Sequence, residues 1–183
     1  MSEQPIILRG DKIILRPWRT DDAKPLWDNI HNEEFNKFTG THDSFTREQI
    51  DKYVENQIAA AGSQDRGTFI IALPDTEEAV GEVVINEIDR DNHSGNIRIG
   101  MFSDEHVGKG YGTEAMRLMV GYGFEYLNLH RIELGVYAFN PRAIRAYEKA
   151  GFVKEGVRRD ALYWDGEYID AIDMSILKHE WQS

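Results

Sequence analysis

Three glycines at alternate positions, Gly108, Gly110 and Gly112, are the residues whose type and spacing point most directly to chemistry. They follow a segment, 97–102, in which apolar and polar residues alternate as in a β-strand, and they precede an amphipathic stretch with helical spacing. Glycine lets the backbone approach a ligand closely, and the first N–H groups of a helix favour a bound anion. The pattern therefore predicts a main-chain cradle for a pyrophosphate group.

Two other kinds of phosphate-binding loop have a different spacing. A Walker loop has four residues between its first glycine and a Gly-Lys pair that Ser or Thr follows, whereas Gly108-Lys109 is followed by Gly110. A dinucleotide fingerprint has its third glycine three residues after the second, whereas Gly112 follows Gly110 by two. The spacing excludes the first loop and disfavours the second. A tight turn without a ligand remains an equal alternative when the loop is considered alone.

A second group of residues lies one strand further along the chain. Asn140, Ala143 or Ile144, and Tyr147 fall on one face of a predicted helix. Asn140 is predicted to cap this helix, which has a proline at its first position and Gly151 at its end. The helix also carries positive charge that would suit a phosphorylated cofactor in an otherwise acidic chain, at Arg142, Arg145 and Lys149.

The composition excludes several other kinds of site. The 183-residue chain contains no cysteine, which removes disulfides, thiolate metal sites and a cysteine-bound acyl intermediate. None of the six histidines has the i, i+4 spacing of a helical metal pair, so no metal site is predicted. The formal net charge of −11 argues against binding to nucleic acid or to an anionic membrane. Because no apolar run approaches the roughly 20 residues that span a bilayer, and no signal-peptide pattern is present, a cytoplasmic location is predicted.

The remaining elements are those that must position the two motifs. The pattern predicts about seven strands and about four helices in one domain, 1–183. Three strands form an antiparallel meander ahead of the glycine loop, and a strand, the central helix and a further strand form a right-handed βαβ unit with parallel strands. Segment 32–43 carries aromatic residues without periodicity and is predicted as a loop, as is the stretch around Tyr163 and Trp164. A first strand region covers 6–8 and 12–18 around the turn 9–11, and further strands are predicted at 68–73, 80–88, 95–102, 131–139, 152–158 and 168–177. Helices are predicted to start near Asp22, Thr46, Tyr111 and Pro141.

With both motifs in this order, the sequence resembles the GNAT superfamily of acyl-coenzyme A dependent N-acetyltransferases. The glycine loop matches the superfamily's pyrophosphate motif, and segment 140–152 matches its second motif. Together with segment 168–181 and the opening Leu15-Arg16-Pro17, the likeness covers nearly the whole chain. It is closest to the RimJ/RimL-type branch, to which bacterial spermidine acetyltransferases are similar. One position departs from the motif, because Val107 stands where Arg or Gln is common.

The resemblance implies an α/β (α+β) fold, a single GNAT-like domain whose mixed, mostly antiparallel sheet is splayed in the middle. It implies that acetyl-CoA lies in that gap, with its pantetheine arm along the strand before the loop and its pyrophosphate on the N–H groups of the loop. An amine then attacks the thioester directly in a ternary complex, so no covalent enzyme intermediate is required, and a backbone N–H near Met101 would stabilise the oxyanion. The cofactor-binding residues that the resemblance implies are Met101, Phe102, Ser103, Val107, Gly108, Lys109, Gly110, Tyr111, Gly112, Thr113, Asn140 and Ala143.

Tyr147 is the residue that the resemblance implies as general acid. A phenol with a pKa near 10 can donate a proton to the departing thiolate. Packing in the core of an amphipathic helix is the alternative role for this ring. The general base is left open, since none of the four candidates stands out and each is more simply a solvated side chain: Glu82, Glu87, Asp89 and His93.

The acceptor amine is left open as well. In the resembling family the acceptor site is shaped by segments that correspond to 35–53 and 163–168, and Glu33, Glu34 and Asp43 would attract a cation. A protein N-terminus, a polyamine and another small amine all fit, and a homodimer is common in the resembling branch. The alternative function is a binding module of the same fold that senses acyl-coenzyme A without turnover.

Overall fold

The computed structural model describes residues 4–183 and shows one mixed β-sheet with helices on both faces. The strands are β1 (Leu8–Arg9), β2 (Ile14–Arg16), β3 (Gly67–Ala72), β4 (Ala79–Asp89), β5 (Ser94–Met101), β6 (Arg131–Tyr137), β7 (Val153–Trp164) and β8 (Glu167–Leu177). The helices are α1 (Ala23–Ile30), α2 (Glu33–Thr39), α3 (Arg47–Ala59), α4 (Tyr111–Glu125) and α5 (Pro141–Lys149). Within these described residues both counts are slightly higher than the sequence predicts. No helix in this part of the chain is long and apolar enough to cross a membrane.

The sheet opens between its two halves. Its strand order is β1-β2-β3-β4-β5-β6-β8-β7, and β5 and β6 are parallel and joined through α4, as predicted. Their pairing extends only from Ser94–Asn96 to Arg131–Glu133, so the rest of the two strands has no partner across the gap. The remaining neighbours are antiparallel. The predicted splayed, mostly antiparallel sheet is therefore confirmed, and the gap lies beside residues 97–101 of β5.

The two faces of the sheet carry separate hydrophobic clusters. Val83 and Ile85 of β4 pack with Met116 and Met119 of α4, and alternate residues of β6 join the same cluster. The opposite face of the first half packs against α1 and α3 through Ile14, Ile70, Leu26, Ile50 and Val54. Because side chains alternate along a strand, the buried positions of β6 leave Tyr137 on the face opposite α4. Any ligand in the gap is thus approached by α4 and α5 from one face only.

Helix α2 corrects the prediction of a loop over 32–43. Asn32 caps it by accepting hydrogen bonds from two backbone N–H groups at 3.0 and 3.2 Å, and Gly40 ends it with a φ of 68°. A Cβ built at Gly100 of β5 would lie 3.1 Å from the Phe35 ring, and one built at Gly40 would lie 2.5 Å from the Tyr137 hydroxyl of β6. The helix therefore contacts both edges of the gap. It has only seven residues, none of them fully buried, which is too little for a helical period to show in the sequence.

Two further predictions need correction. Asp22 does precede α1 as expected, but its carboxylate accepts no bond from an N–H group of α1. It accepts two bonds from Arg16, at 2.8 and 2.9 Å, and one from the backbone N–H of Arg19 at 2.7 Å, and both Arg16 and Asp22 are 3% exposed. Tyr163 and Trp164 belong to β7 rather than to a loop, since β7 continues through a register shift to a tight turn at 165–166. The aromatic pair is consequently held by a strand at the edge of the sheet, where β7 pairs with β8.

Candidate active site

The glycine loop has the backbone conformation that its sequence suggests. Ser103 accepts a hydrogen bond from the N–H of Glu105 at 3.2 Å and so begins a single 3₁₀ turn, which is the polar break after β5. Gly108 and Gly110 have φ values of 81° and 84°, in the left-handed region that glycine occupies without strain. Gly110 immediately precedes the first residue of α4. The two glycines thus turn the chain directly into the helix.

The start of α4 leaves several N–H groups for a ligand. The first intrahelical bond runs from Glu114 N–H to the Gly110 carbonyl at 3.2 Å, so the N–H groups of Tyr111, Gly112 and Thr113 have no acceptor within the helix. Gly110 has no side-chain oxygen that could cap them. These donors lie at the positive end of the helix dipole, where an anion is stabilised. The loop therefore fits a pyrophosphate group by its main chain alone, which is consistent with a valine at position 107.

The turn between β1 and β2 holds this loop in place. The Glu114 carboxylate accepts hydrogen bonds from the backbone N–H groups of Asp11 and Lys12, the latter at 3.0 Å. The Lys12 ammonium donates to the Lys109 carbonyl at 3.3 Å and lies 2.8 Å from where a Cβ at Gly110 would be. Lys12 consequently adds a positive charge to the loop. This role of Lys12 has no signal in the sequence, because about 100 residues separate the partners and no local pattern records such a contact.

The edge of β5 presents main-chain groups to the gap. Phe102 N–H donates to the Val80 carbonyl at 2.9 Å, in register with the β4–β5 ladder. Because hydrogen bonding alternates along an antiparallel strand, Met101 and Ile99 must direct their N–H and C=O groups away from β4, toward the gap. Met101 N–H is therefore directed toward the gap rather than toward β4. Phe102, which the sequence analysis grouped with the cofactor-binding residues, has its N–H already bonded and its side chain buried against α1 and α3.

Helix α5 brings the second motif to the same region. Asn140 caps the helix as predicted, with its side-chain oxygen accepting from Ala143 N–H at 3.2 Å, so its amide NH₂ remains able to donate. Ala143 and Tyr147 pack against the cluster that also contains Met101 and Tyr111. Burial raises the pKa of Tyr147 to about 12. The phenol is therefore protonated at neutral pH, as a general acid must be before it acts.

The four candidate bases lie at two different places along β4 and β5. Glu82 pairs in register with Gly100, beside the open end of the gap, and is 7% exposed. Glu87, Asp89 and His93 lie near the β4–β5 turn, where β5 and β6 are still paired. Geometry thus leaves only Glu82 of the four at the open end.

Glu82 is part of a hydrogen-bonded trio with Arg98 and Tyr53. One carboxylate oxygen accepts from Arg98 at 2.9 Å and the other from the Tyr53 hydroxyl at 3.1 Å, while Arg98 also donates to that hydroxyl at 2.6 Å. Burial, followed by the negative charge of Glu82, raises the pKa of Tyr53. The trio is fixed on the sheet face that α3 covers, where Arg98 forms an ion pair with Glu82, the one of the four candidates that lies at the open end of the gap.

A cavity of about 580 Å³ lies between α2 and the β7–β8 turn. Its walls are acidic and aromatic. Phe38 stacks on Phe139 with ring centroids 5.6 Å apart, and His42 stacks on Trp164 at 4.9 Å. Asp43, which was expected to attract a cation, is exposed and does not line the cavity. The lining residues are Glu33, Glu34, Lys37, Phe38, Phe139, Trp164 and Asp165.

Together these features define a group-transfer enzyme that brings an anionic acyl carrier to an amine. Main-chain donors line the gap in the split sheet. An acidic, aromatic cavity lies beside α2, the helix that contacts both edges of this gap. No group of three or more histidine or acidic residues in the described part of the chain is arranged to hold a metal ion.

Comparison with known proteins identifies the family. Residues 12–153 match the acetyltransferase (GNAT) domain. Spermidine N(1)-acetyltransferase of Escherichia coli (strain K12) is 31% identical over 171 residues, covering 91% of this chain and 87% of that protein. The probable N-acetyltransferase YjcK of Bacillus subtilis (strain 168) is 34% identical over 179 residues, covering 93% and 97%. The chain belongs to the GNAT family and is an acetyl-CoA-dependent N-acetyltransferase.

Solved structures share the fold. Spermidine N-acetyltransferase from Vibrio cholerae, in complex with CoA and spermine, superposes with a TM-score of 0.83 at 24% identity, over 94% of this chain and 99% of that chain. A GNAT-family acetyltransferase from Bacillus anthracis gives a TM-score of 0.81 at 23% identity, over 96% and 100%. At this identity the likeness shows that the splayed sheet is the arrangement of the family.

Proposed function

We propose that this enzyme acetylates a small polycationic amine, and that residues 1–183 form a single N-acetyltransferase domain. The acetyl donor would be held as the sequence predicts, with its pyrophosphate on the N–H groups of 107–113 and its pantetheine arm along 101–103 and beside Asn140 and Ala143. The free N–H groups at the start of α4 support the first contact. The gap-facing groups of β5 and the free amide NH₂ of Asn140 support the second. Acetyl-CoA supplies the reactive thioester.

Side chains of the enzyme would handle two proton transfers, one from the acceptor ammonium group and one to the departing thiolate. A lysine-like amine has a pKa near 10.4, so presenting it unprotonated at neutral pH costs about 4–5 kcal/mol. We assign the acceptance of that proton to Glu82, the candidate that lies at the open end of the gap. Attack on the carbonyl carbon forms a C–N bond and an oxyanion, which Met101 N–H stabilises. When the C–S bond breaks, Tyr147 donates its proton to the sulfur, and the proton that the nitrogen of the new amide releases restores the phenol.

The cavity beside α2 supports a polycationic acceptor. Three carboxylates, of Glu33, Glu34 and Asp165, surround aromatic rings, and aromatic faces attract ammonium groups. Only one basic residue lines the cavity, so its net charge is negative. The E. coli relative bears the name of a spermidine acetyltransferase, which agrees with this chemistry. The acidic, aromatic cavity is the observation that carries the choice of a polyamine over a protein N-terminus.

A thiol-release assay over matched acceptors tests this function. Spermidine, spermine, n-butylamine and short peptides with a free N-terminus would be compared at saturating acetyl-CoA. We expect kcat/KM to be highest for the two polyamines and at least about ten-fold lower for butylamine, which lacks the distal charges. A preference for peptides would contradict the proposal. Acetyl-CoA binding with no thiol release from any acceptor would favour the acyl-coenzyme A sensor.

The role of Tyr147 is tested in the same assay. Tyr147→Phe removes the proton donor and keeps the ring, so we expect kcat to fall roughly ten-fold or more, within the range of general acid catalysis. Tyr126→Phe is the matched control, because the Tyr126 hydroxyl donates to the Gly62 carbonyl at the opposite end of α4 from the glycine loop, so its loss should leave kcat unchanged. An unaltered kcat in Tyr147→Phe would remove Tyr147 from the mechanism.

Two statements about the cellular protein stay predictions. The homodimer common in the resembling branch is checked by sedimentation of the purified chain. A cytoplasmic location without nucleic-acid binding is checked by fractionation and by a gel-shift assay at low salt, where the net charge of −11 should prevent binding.

A further inference from the structure

Lys37 places its ammonium group inside the acidic, aromatic cavity. Its Nζ lies 5.0 Å from the centroid of the Phe139 ring, a distance at which the ring face attracts a cation. Glu33 is four residues before it on the same helix, which is the spacing of a helical ion pair. Lys24 on α1 forms such a pair with Asp28 at 2.7 Å. In the part of the chain that the structure describes, Lys37 instead forms its close contact with the ring.

The ring under Lys37 is held rigidly. Phe139 is stacked with Phe38 at 5.6 Å and 21°, and with Tyr137 at 6.0 Å and 6°. Tyr137 is fixed in turn by β6 and by its contact with Gly40 at the end of α2. A ring held by two neighbours keeps its face in one orientation. The cavity therefore contains a preformed cation site whose occupant in this structure comes from the chain itself.

We propose that Lys37 is an internal competitor, which occupies the position of one distal ammonium group of the acceptor and must leave when a polycation binds. This inference rests on the proposed function, because it concerns the same cavity. A side chain tethered beside its site acts at a high effective concentration. The apparent affinity for the acceptor is lowered by the fraction of molecules in which the site is taken. Lys37 thus raises the KM for acceptors that carry a distal ammonium group, without touching the reacting atoms.

The substitution Lys37→Met tests this directly. Methionine keeps the length and apolar stem of the side chain but removes its charge. For spermidine we expect KM to fall about five-fold with kcat unchanged, a factor in keeping with the modest strength of a partly exposed cation–aromatic contact. For n-butylamine, which has no distal ammonium to place over Phe139, we expect KM to change by less than about two-fold. Lys37→Arg keeps a cation and should keep the parent KM for both acceptors.

Lys24→Met is the matched control. It also removes one lysine charge from a nearby helix, but its side chain is 74% exposed and does not line the cavity. A general electrostatic effect would lower the spermidine KM equally in both variants, and that result would overturn the inference. A parallel change for spermidine and butylamine in Lys37→Met, or a rise in KM, would also overturn it, since either indicates a structural role.

Equilibrium binding separates this inference from the proposed function. Spermidine is titrated calorimetrically into the CoA-bound parent enzyme and into Lys37→Met. Tighter binding by the variant supports internal competition even if no polyamine is acetylated, in which case the proposed function alone fails. Equal binding by both proteins, or no spermidine binding by either, overturns the role of Lys37, whatever the thiol-release assay shows.

Discussion

Gly112→Ala should move fold stability and cofactor affinity in opposite directions. Gly112 is the second residue of α4 and, unlike Gly108 and Gly110, it has no positive φ. A Cβ built there would meet only the Ile99 side chain, at 3.9 Å, which is ordinary van der Waals contact. The protein without ligand therefore accommodates alanine at no steric cost. In a helix, alanine is favoured over glycine by about 0.5–1 kcal/mol because the unfolded chain has less freedom to lose.

The same methyl group would lie where the proposed pyrophosphate approaches the helix. Ile99 is on the unpaired stretch of β5, so the space next to this Cβ is the space of the gap. Displacing a phosphate from one N–H group removes a hydrogen bond to a charged group, which contributes about 1.5–3 kcal/mol. Since 1.4 kcal/mol is a factor of ten, we expect the Kd for acetyl-CoA to rise by about ten-fold or more.

Two measurements decide this prediction. Calorimetric unfolding without ligand should show a Tm raised by about 1–3 °C in Gly112→Ala. Titration with acetyl-CoA should show the weaker binding. Gly108→Ala is the control with the opposite stability effect, because its φ of 81° strains any L-residue by about 1–2 kcal/mol although no atom lies within 4 Å of the Cβ. If Gly112→Ala is more stable and binds acetyl-CoA as well as the parent, the pyrophosphate does not lie on this turn.

Two further predictions concern a proton and an ion pair. Burial raises the pKa of Tyr147 from the ordinary 10.0 to about 12, so the phenol stays protonated below pH 10. Any fall of kcat with rising pH between 7 and 10 should therefore be the same in the parent and in Tyr147→Phe. A fall found in the parent alone would contradict the assignment of Tyr147 as a general acid that stays protonated in this range. Asp22→Asn leaves the buried Arg16 without its counter-charge and should lower the free energy of unfolding by about 3–5 kcal/mol in urea titrations, whereas Asp28→Asn, in an exposed pair, should change it by less than about 1 kcal/mol. Equal losses in the two variants would show that burial does not govern the pair.

The conformation of the glycine loop and the start of α5 could be predicted from sequence because their signals are local. Gly108 and Gly110 are needed for positive φ values, and both lie within a few residues of the helix they begin. Asn140, followed by a proline, likewise predicts the start of α5 from adjacent residues. The parallel β5–α4–β6 unit followed from periodicities that switch from two to 3.6 residues. None of these inferences required a contact between distant parts of the chain.

The errors arise where distant residues decide the outcome. Asp22 has the residue type and position of a cap, but a buried guanidinium on β2 competes for its carboxylate. Glu114 accepts bonds from two N–H groups about 100 positions away, a contact that no local pattern records. Helix α2 is too short to show a period, and Trp164 is held by a strand that continues through an irregularity in its pairing. Sequence patterns reflect interactions between residues that are close along the chain, whereas these features depend on residues that are close only in the folded structure.

The glycine loop depends on local sequence, whereas the cavity beside α2 depends on tertiary contacts. The two parts of the site should therefore respond differently to substitution. The proposed donor side would use main-chain N–H groups, which every residue except proline supplies, so its chemistry would depend on conformation more than on side-chain identity. The proposed acceptor cavity is instead assembled by side chains from three separate segments, 33–38, position 139 and 164–165. A change in any one of these segments alters charge or shape in the cavity without moving the turn at Gly110. The fold can therefore keep one acyl donor while its choice of amine is set independently, and Lys37, which belongs to the second group, should act on the acceptor KM alone.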